Sequence, residues 1–270
     1  MCLILFSYKT HPHYPLVLAA NRDEFYARPT ATADFWKDAP SILAGRDLRG
    51  GGTWLGVDRH GRFAAVSNYR EPGSNKSHRL SRGLLVSDFL QGQQTPKEYM
   101  HQLHRRGQQY NGFNLFVGDR SEIGYYSNRA HAAQSLDPGL YGISNHLLDT
   151  PWPKVKRGKE QLGDRLARNR TLTAEAIFAI LSDRTLANDD ELPDTGVGLE
   201  VERIVSPIFI TSPYYGTRSS TVLLIDKDEC LSFSERSFES ASNRAQTVYY
   251  RFRIEAEPEN RRAIALSPGS

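Results

Sequence analysis

Cys2-Leu3-Ile4-Leu5-Phe6-Ser7-Tyr8 and Leu16-Val17-Leu18-Ala19-Ala20-Asn21-Arg22-Asp23-Glu24 are the stretches on which the fold turns. Each is a short apolar run separated from its neighbours by polar residues and proline, which reads as strand rather than helix: Leu3–Tyr8 and Leu16–Asn21. Thr53–Val57 and Phe63–Tyr69 repeat the pattern between Gly and Pro clusters, so the chain begins by building a sheet.

Outward from that start, Thr95-Pro96-Lys97-Glu98 sets a capping-box pair around a proline at the first helical position, predicting a helix to about Gly107, with another before it over Leu84–Leu90. Strand patterns return at Phe113–Val117, Ile123–Ser127 and Leu140–Ser144. Helical spacing follows at Lys154–Arg168 and Ala174–Ser182, and strands again at Ile208–Ser212, Ser219–Asp226, Cys230–Glu235 and Val248–Ile254. Runs of strands alternating with pairs of helices predict an α+β fold in layers, with helices outside a sheet sandwich. One domain is expected over residues 1–256. Residues 257–270 read as a flexible tail, and Pro72–His78 and Ala187–Gly198 as the other disorder-prone segments.

The composition agrees. With 39% hydrophobic and 10% aromatic residues over 270 positions, the chain is too apolar for disorder and long enough to bury a sizeable core. The net charge of +3, from 34 basic and 31 acidic residues, favours no polyanionic partner. No apolar run approaches the ~20 residues of a membrane helix, so no integral membrane segment is expected. The start lacks the positive lead of a secretory signal, and two cysteines make no disulfide framework; both point to a reducing cytoplasm.

Cys2 carries the most chemical information. Removal of Met1 would leave a thiol whose own α-amine, with a pKa near ~7.7–8.0, can accept its proton; otherwise Cys2 merely begins a strand. Three charges in a row at Arg22-Asp23-Glu24, directly after an apolar run, exceed what a turn needs. Asp23 is placed to hold the Cys2 ammonium, or else to serve a solvated hairpin corner. Asn68 and Asn145 end strands, where their amides can face a cleft as oxyanion donors or close an Asx turn. Arg218 enters a strand, either as a charge lowering a thiol pKa or as a structural Arg. Trp54, Tyr69 and Tyr214, with Trp36 and Tyr215, are candidates to line an apolar acyl pocket, and Cys230 reads as core.

Other patterns carry less. Gly50-Gly51-Gly52-Thr53-Trp54 lacks a following Gly-Lys-Ser/Thr and opens no helix, so it reads as the lip of a cleft rather than a phosphate cradle. His11 with His13, and His101 with His104, lack companion ligands; no metal is expected, and no motif asks for a cofactor. The basic runs 154–159 and 165–170 contain Glu160 and Asp164 and read as a solvated helix face rather than a nucleic-acid groove.

Taken together, Met1-Cys2, Asn21-Arg22-Asp23-Glu24, Gly51-Gly52-Thr53-Trp54-Leu55-Gly56, Ser67-Asn68-Tyr69-Arg70, Ser144-Asn145 with Pro151-Trp152-Pro153-Lys154, and Gly216-Thr217-Arg218-Ser219-Ser220-Thr221 resemble the NRDE family, also called the transport and Golgi organisation protein 2 family. That family is similar to N-terminal nucleophile hydrolases of the bile-salt hydrolase and penicillin V acylase type. The resemblance implies a four-layer αββα sandwich. It makes Cys2 the nucleophile, Asp23 the amine partner, Asn68 and Asn145 oxyanion donors and Arg218 a charge near the thiolate. Those hydrolases place Arg directly before Asn-x-Asp; here Ala20 stands there and Arg22 sits two places on, on the same strand face but roughly 7 Å along. The implied reaction is hydrolysis of a non-peptide C–N amide bond of a small N-acyl compound through a thioester. The alternative is a non-catalytic carrier for an apolar ligand such as lipid or haem.

Overall fold

A computed structural model describes residues 2–168, 170–239 and 245–256; the tail expected over 257–270 lies outside the described residues. The first half runs β1 (Cys2–Tyr8), β2 (Leu16–Phe25), β3 (Thr30–Trp36), β4 (Ala39–Asp47), β5 (Leu55–Asp58), β6 (Phe63–Asn68), α1 (Gly83–Gln91), α2 (Pro96–Arg106), β7 (Phe113–Gly118) and β8 (Ile123–Ser127). There follow β9 (Ala132–Ser135), β10 (Gly139–Ile143), α3 (Pro153–Arg168), α4 (Ala174–Leu181), α5 (Leu199–Val205), β11 (Tyr215–Ile225), β12 (Cys230–Phe238) and β13 (Ala245–Arg253). Among the described residues the strands form two antiparallel sheets, ordered β10-β1-β2-β11-β12-β13 and β3-β4-β5-β6-β7-β8-β9.

The unbroken apolar character of β1 and β2 follows from burial on both faces. Ile4, Phe6, Leu18 and Ala20 point into the space between the sheets, where they meet Leu43, Val57, Phe63 and Phe116 of the second sheet. Leu3, Leu5, Val17 and Ala19 point the other way, against Val155 and Leu162 of α3 and Ile177 and Phe178 of α4. The second sheet is covered on its outer face by α1 and α2 through Leu85, Phe89, Tyr99 and Leu103. The layers are therefore helix, sheet, sheet, helix, the α+β sandwich expected. The predicted cap of α2 is present in full: Thr95 accepts from the Glu98 backbone N–H, and the Glu98 side chain accepts from Thr95.

Two differences from the sequence reading have local causes. Ile208–Ser212 is not a strand of either sheet: it pairs with the start of β11 through an isolated bridge, Thr211 with Gly216, and side chains take up other backbone groups, the Ile208 carbonyl accepting from the Asn21 side chain and the Ile210 N–H donating to Thr217 Oγ1. β3 and β4 carry no clear strand pattern in the sequence, because β3 is largely half-buried and β4 is interrupted by Pro40 and Gly45, which dilutes the apolar alternation.

Candidate active site

β1 and β2 pair with Cys2 opposite Arg22, which puts both side chains on the inter-sheet face. Alternation then places Asn21 and Asp23 on the opposite face, toward the helices. Asn21 is fully buried and structural: its Nδ2 donates to the Leu181 and Ile208 carbonyls at 2.8 and 2.9 Å, and its Oδ1 accepts from Ser220 Oγ at 2.6 Å. Asp23 accepts from Thr217 Oγ1 at 2.7 Å, and Tyr215 Oη donates to its backbone carbonyl at 3.1 Å.

Cys2 lines a cleft of about 630 Å³ together with Arg22, Asp23, Trp54 and Asn68. The predicted lip is present, since Gly50, Thr53 and Trp54 line it too. Gly52 lets that lip pass tightly under α1: a Cβ there would stand 2.3 Å from the Gly83 carbonyl carbon. The Arg22 guanidinium lies 4.2 Å from the centroid of the Trp54 ring, an arrangement that orients the cation beside the Cys2 strand end. Burial pushes the Cys2 thiol up, Asp23 pushes the same way, and Arg22 pulls it back. Burial likewise pushes the Asp23 carboxyl up, opposed chiefly by Lys154.

The remaining predicted residues divide. Asn68 reaches the Cys2 cleft. Asn145, buried with φ at +60°, donates from Nδ2 to the Asn68 carbonyl at 2.9 Å and so fastens the end of β6. Arg218 does not line this cleft. It is the extra residue of a bulge in β11, between Thr217, which faces Asp23, and Ser219, which faces Arg22. Its guanidinium turns outward to the carbonyls of Phe25, Tyr26 and Arg28, at 2.9 to 3.2 Å, and borders a second cavity of about 530 Å³. Among the described residues, the positive side chains of the cleft that act on the thiol are Arg22 and Arg82 instead. Tyr69 packs on His146, with ring centroids 5.1 Å apart, and Tyr214 is 80% exposed; neither lines the cleft.

Two cations went unassigned in the sequence. Arg82, before α1, lines the cleft within electrostatic reach of the Cys2 sulfur. Lys154, placed by its basic run on a solvated helix face, is buried instead, because it occupies the first turn of α3 where the helix packs on β1 and β10. Two signals were available: its place in Pro151-Trp152-Pro153-Lys154, and a cation at a helix N-terminus, where the macrodipole disfavours one.

The family model described as Transport and Golgi organisation 2 matches residues 1–240. The chain belongs to this family. A Transport and Golgi organization protein 2 homolog of Bos taurus is 40% identical over 278 aligned positions, covering 95% of this chain and all of that protein. The Homo sapiens homolog is 38% identical, covering 88% and 93% respectively. Among solved structures, a mutant of the conjugated bile acid hydrolase from Clostridium perfringens superposes with a TM-score of 0.53 at 9% identity, over 94% of this chain and 97% of that one. This member of the Transport and Golgi organisation 2 family thus has the four-layer fold of the N-terminal nucleophile hydrolases.

Proposed function

We propose that the protein is an N-terminal cysteine hydrolase that cleaves a non-peptide C–N amide bond of a small N-acyl compound. The observation that carries the reading is Cys2 at the wall of the cleft, with Arg22 opposite it in the ladder and the Asp23 carboxylate at the adjoining strand end. With Met1 removed, the α-amine of Cys2 takes the thiol proton. The sulfur attacks the acyl carbon, the C–N bond breaks, and the ammonium proton passes to the departing nitrogen. The resulting thioester is cleaved by water, whose proton goes to the amine; the C–S bond breaks, the thiol is restored and a carboxylic acid leaves. The Asn68 amide is the donor available to the carbonyl oxygen, and Asn145 holds the strand end that carries it.

The charge of the cleft selects among N-acyl compounds. Arg49, Lys76, Arg79 and Arg82 line it with no ion pair among the described residues, while of the three acids that line it Glu24 and Asp47 are already engaged by Arg22 and Arg28 and Asp23 accepts from Thr217. The excess is positive, which favours substrates with an anionic group and disfavours the apolar carrier, for which this wall is too polar.

The test is a panel of N-acyl amides with anionic and neutral amine portions, offered to protein whose intact mass shows that Met1 is gone. Release of amine from the anionic members, weakened by salt and abolished in Cys2→Ala, is the expected result. Turnover undiminished in Cys2→Ala, or none on any member, defeats the proposal.

A further inference from the structure

Lys154 is 2% exposed, and its Nζ has no hydrogen-bond partner among the described residues. No carboxylate among the described residues pairs with it directly either, although Asp23, Cys2 and Glu202 all lie within its electrostatic reach. A buried ammonium without direct partners costs several kcal/mol, so its position needs a reason. Asp23 is the group most strongly coupled to it on each side: after burial, Asp23 heads the charges acting on Lys154, and Lys154 those acting on Asp23.

That pairing bears on a difficulty in the hydrolase reading. A carboxylate that holds an α-amine also stabilises its ammonium form, and an ammonium cannot accept a proton from a thiol. We infer that Lys154 is a positioning residue whose buried positive charge offsets Asp23, so that the Cys2 amine is held by Asp23 yet left unprotonated and able to act as the base. The inference rests on the proposed hydrolase chemistry and adds to it a residue that no contact with substrate requires.

The surrounding charges leave this task to Lys154. From β2, Arg22 and Glu24 lie 4.0 Å apart and offset one another. Arg70, after β6, and Glu202, on α5, form a buried pair at 2.5 Å. Tyr215, on β11, is held neutral by burial and by Asp23. Arg82 lies on the cleft side, where it acts on the sulfur and donates to the Gly112 carbonyl at 3.0 Å. Among the described residues, Lys154, in the helix layer, is the side-chain cation acting on Asp23 that has no ion-pair partner of its own. Burial lowers it to about 8, so it is mostly charged at pH 7.

The experiment reads the α-amine itself, in Met-free protein, by competitive trace acetylation with acetic anhydride across pH, alongside iodoacetamide labelling of Cys2 with Cys230 as internal control. Lys154→Met should raise the amine midpoint by roughly one unit or more and move the onset of Cys2 labelling the same way. Lys154→Arg, which keeps the charge, should stay near wild type. Lys154→Gln gives the same reading as methionine should the latter not be accommodated. Asp23→Asn should lower the midpoint. An unchanged midpoint in folded Lys154→Met, with Asp23→Asn shifting as expected, overturns the role of Lys154 alone. Indifference of the amine to Asp23→Asn as well removes the hydrolase mechanism and this inference with it.

Discussion

Replacing Asn21 with alanine tests whether the first residue of Asn21-Arg22-Asp23-Glu24 serves structure or chemistry. Its amide makes three buried hydrogen bonds. One acceptor is the carbonyl of Leu181, the last residue of α4, whose oxygen has no partner within its own helix. Another belongs to Ile208, three residues before the isolated bridge at Thr211. At about 1 kcal/mol for each lost bond, the change should cost about 3 kcal/mol, and more where a carbonyl is left dry. For a chain of this size that is a fall in Tm of roughly 6–12 °C. Asn21→Asp should cost more still, since it removes both donors and turns a charge toward two carbonyl oxygens. Urea unfolding followed by circular dichroism measures the loss, and iodoacetamide labelling of Cys2 in the folded variant separates stability from reactivity. A loss below about 1 kcal/mol, or collapse of Cys2 labelling at undiminished stability, would refute the structural assignment.

Burial raises Glu235 to about 7, well above its value in an unfolded chain. Its contribution to stability is therefore complete below about pH 4.3 and is lost as pH rises through 7, by about 4 kcal/mol in all; denaturation of Glu235→Gln across pH should lack this decline. Arg218→Met removes three donations to the 25–28 turn and should cost about 1.5–3 kcal/mol while leaving Cys2 labelling unchanged; slowed labelling would return Arg218 to the thiol. Gly52→Ala pushes a methyl into the Gly83 backbone and should lower stability by about 1–3 kcal/mol, with faster proteolysis at the displaced lip as the second readout. Raising salt from 50 to 500 mM should weaken binding of an anionic N-acyl compound, and Arg49→Ala with Arg79→Ala should flatten that dependence.

Local patterns were enough for much of the fold. The apolar runs at Leu3–Tyr8 and Leu16–Asn21, and the Thr95–Glu98 cap of α2, are read from neighbours in sequence, because burial on two faces and capping by a near residue both leave their mark locally. The family motifs likewise brought Cys2, Arg22, Asp23, Trp54 and Asn68 to attention, and these meet at one cleft. Three facts depended on tertiary structure. The bulge that turns Arg218 outward arises from the pairing of β11 with β2, nearly 200 residues apart in sequence, and one extra residue there changes the direction of a side chain. Asn145 donates to a carbonyl on β6, a partner no local rule names. The basic neighbours of Lys154 predict a solvated side chain, but packing of α3 on the sheet buries it within electrostatic reach of Asp23, since which face of a helix is covered is decided by what it packs against.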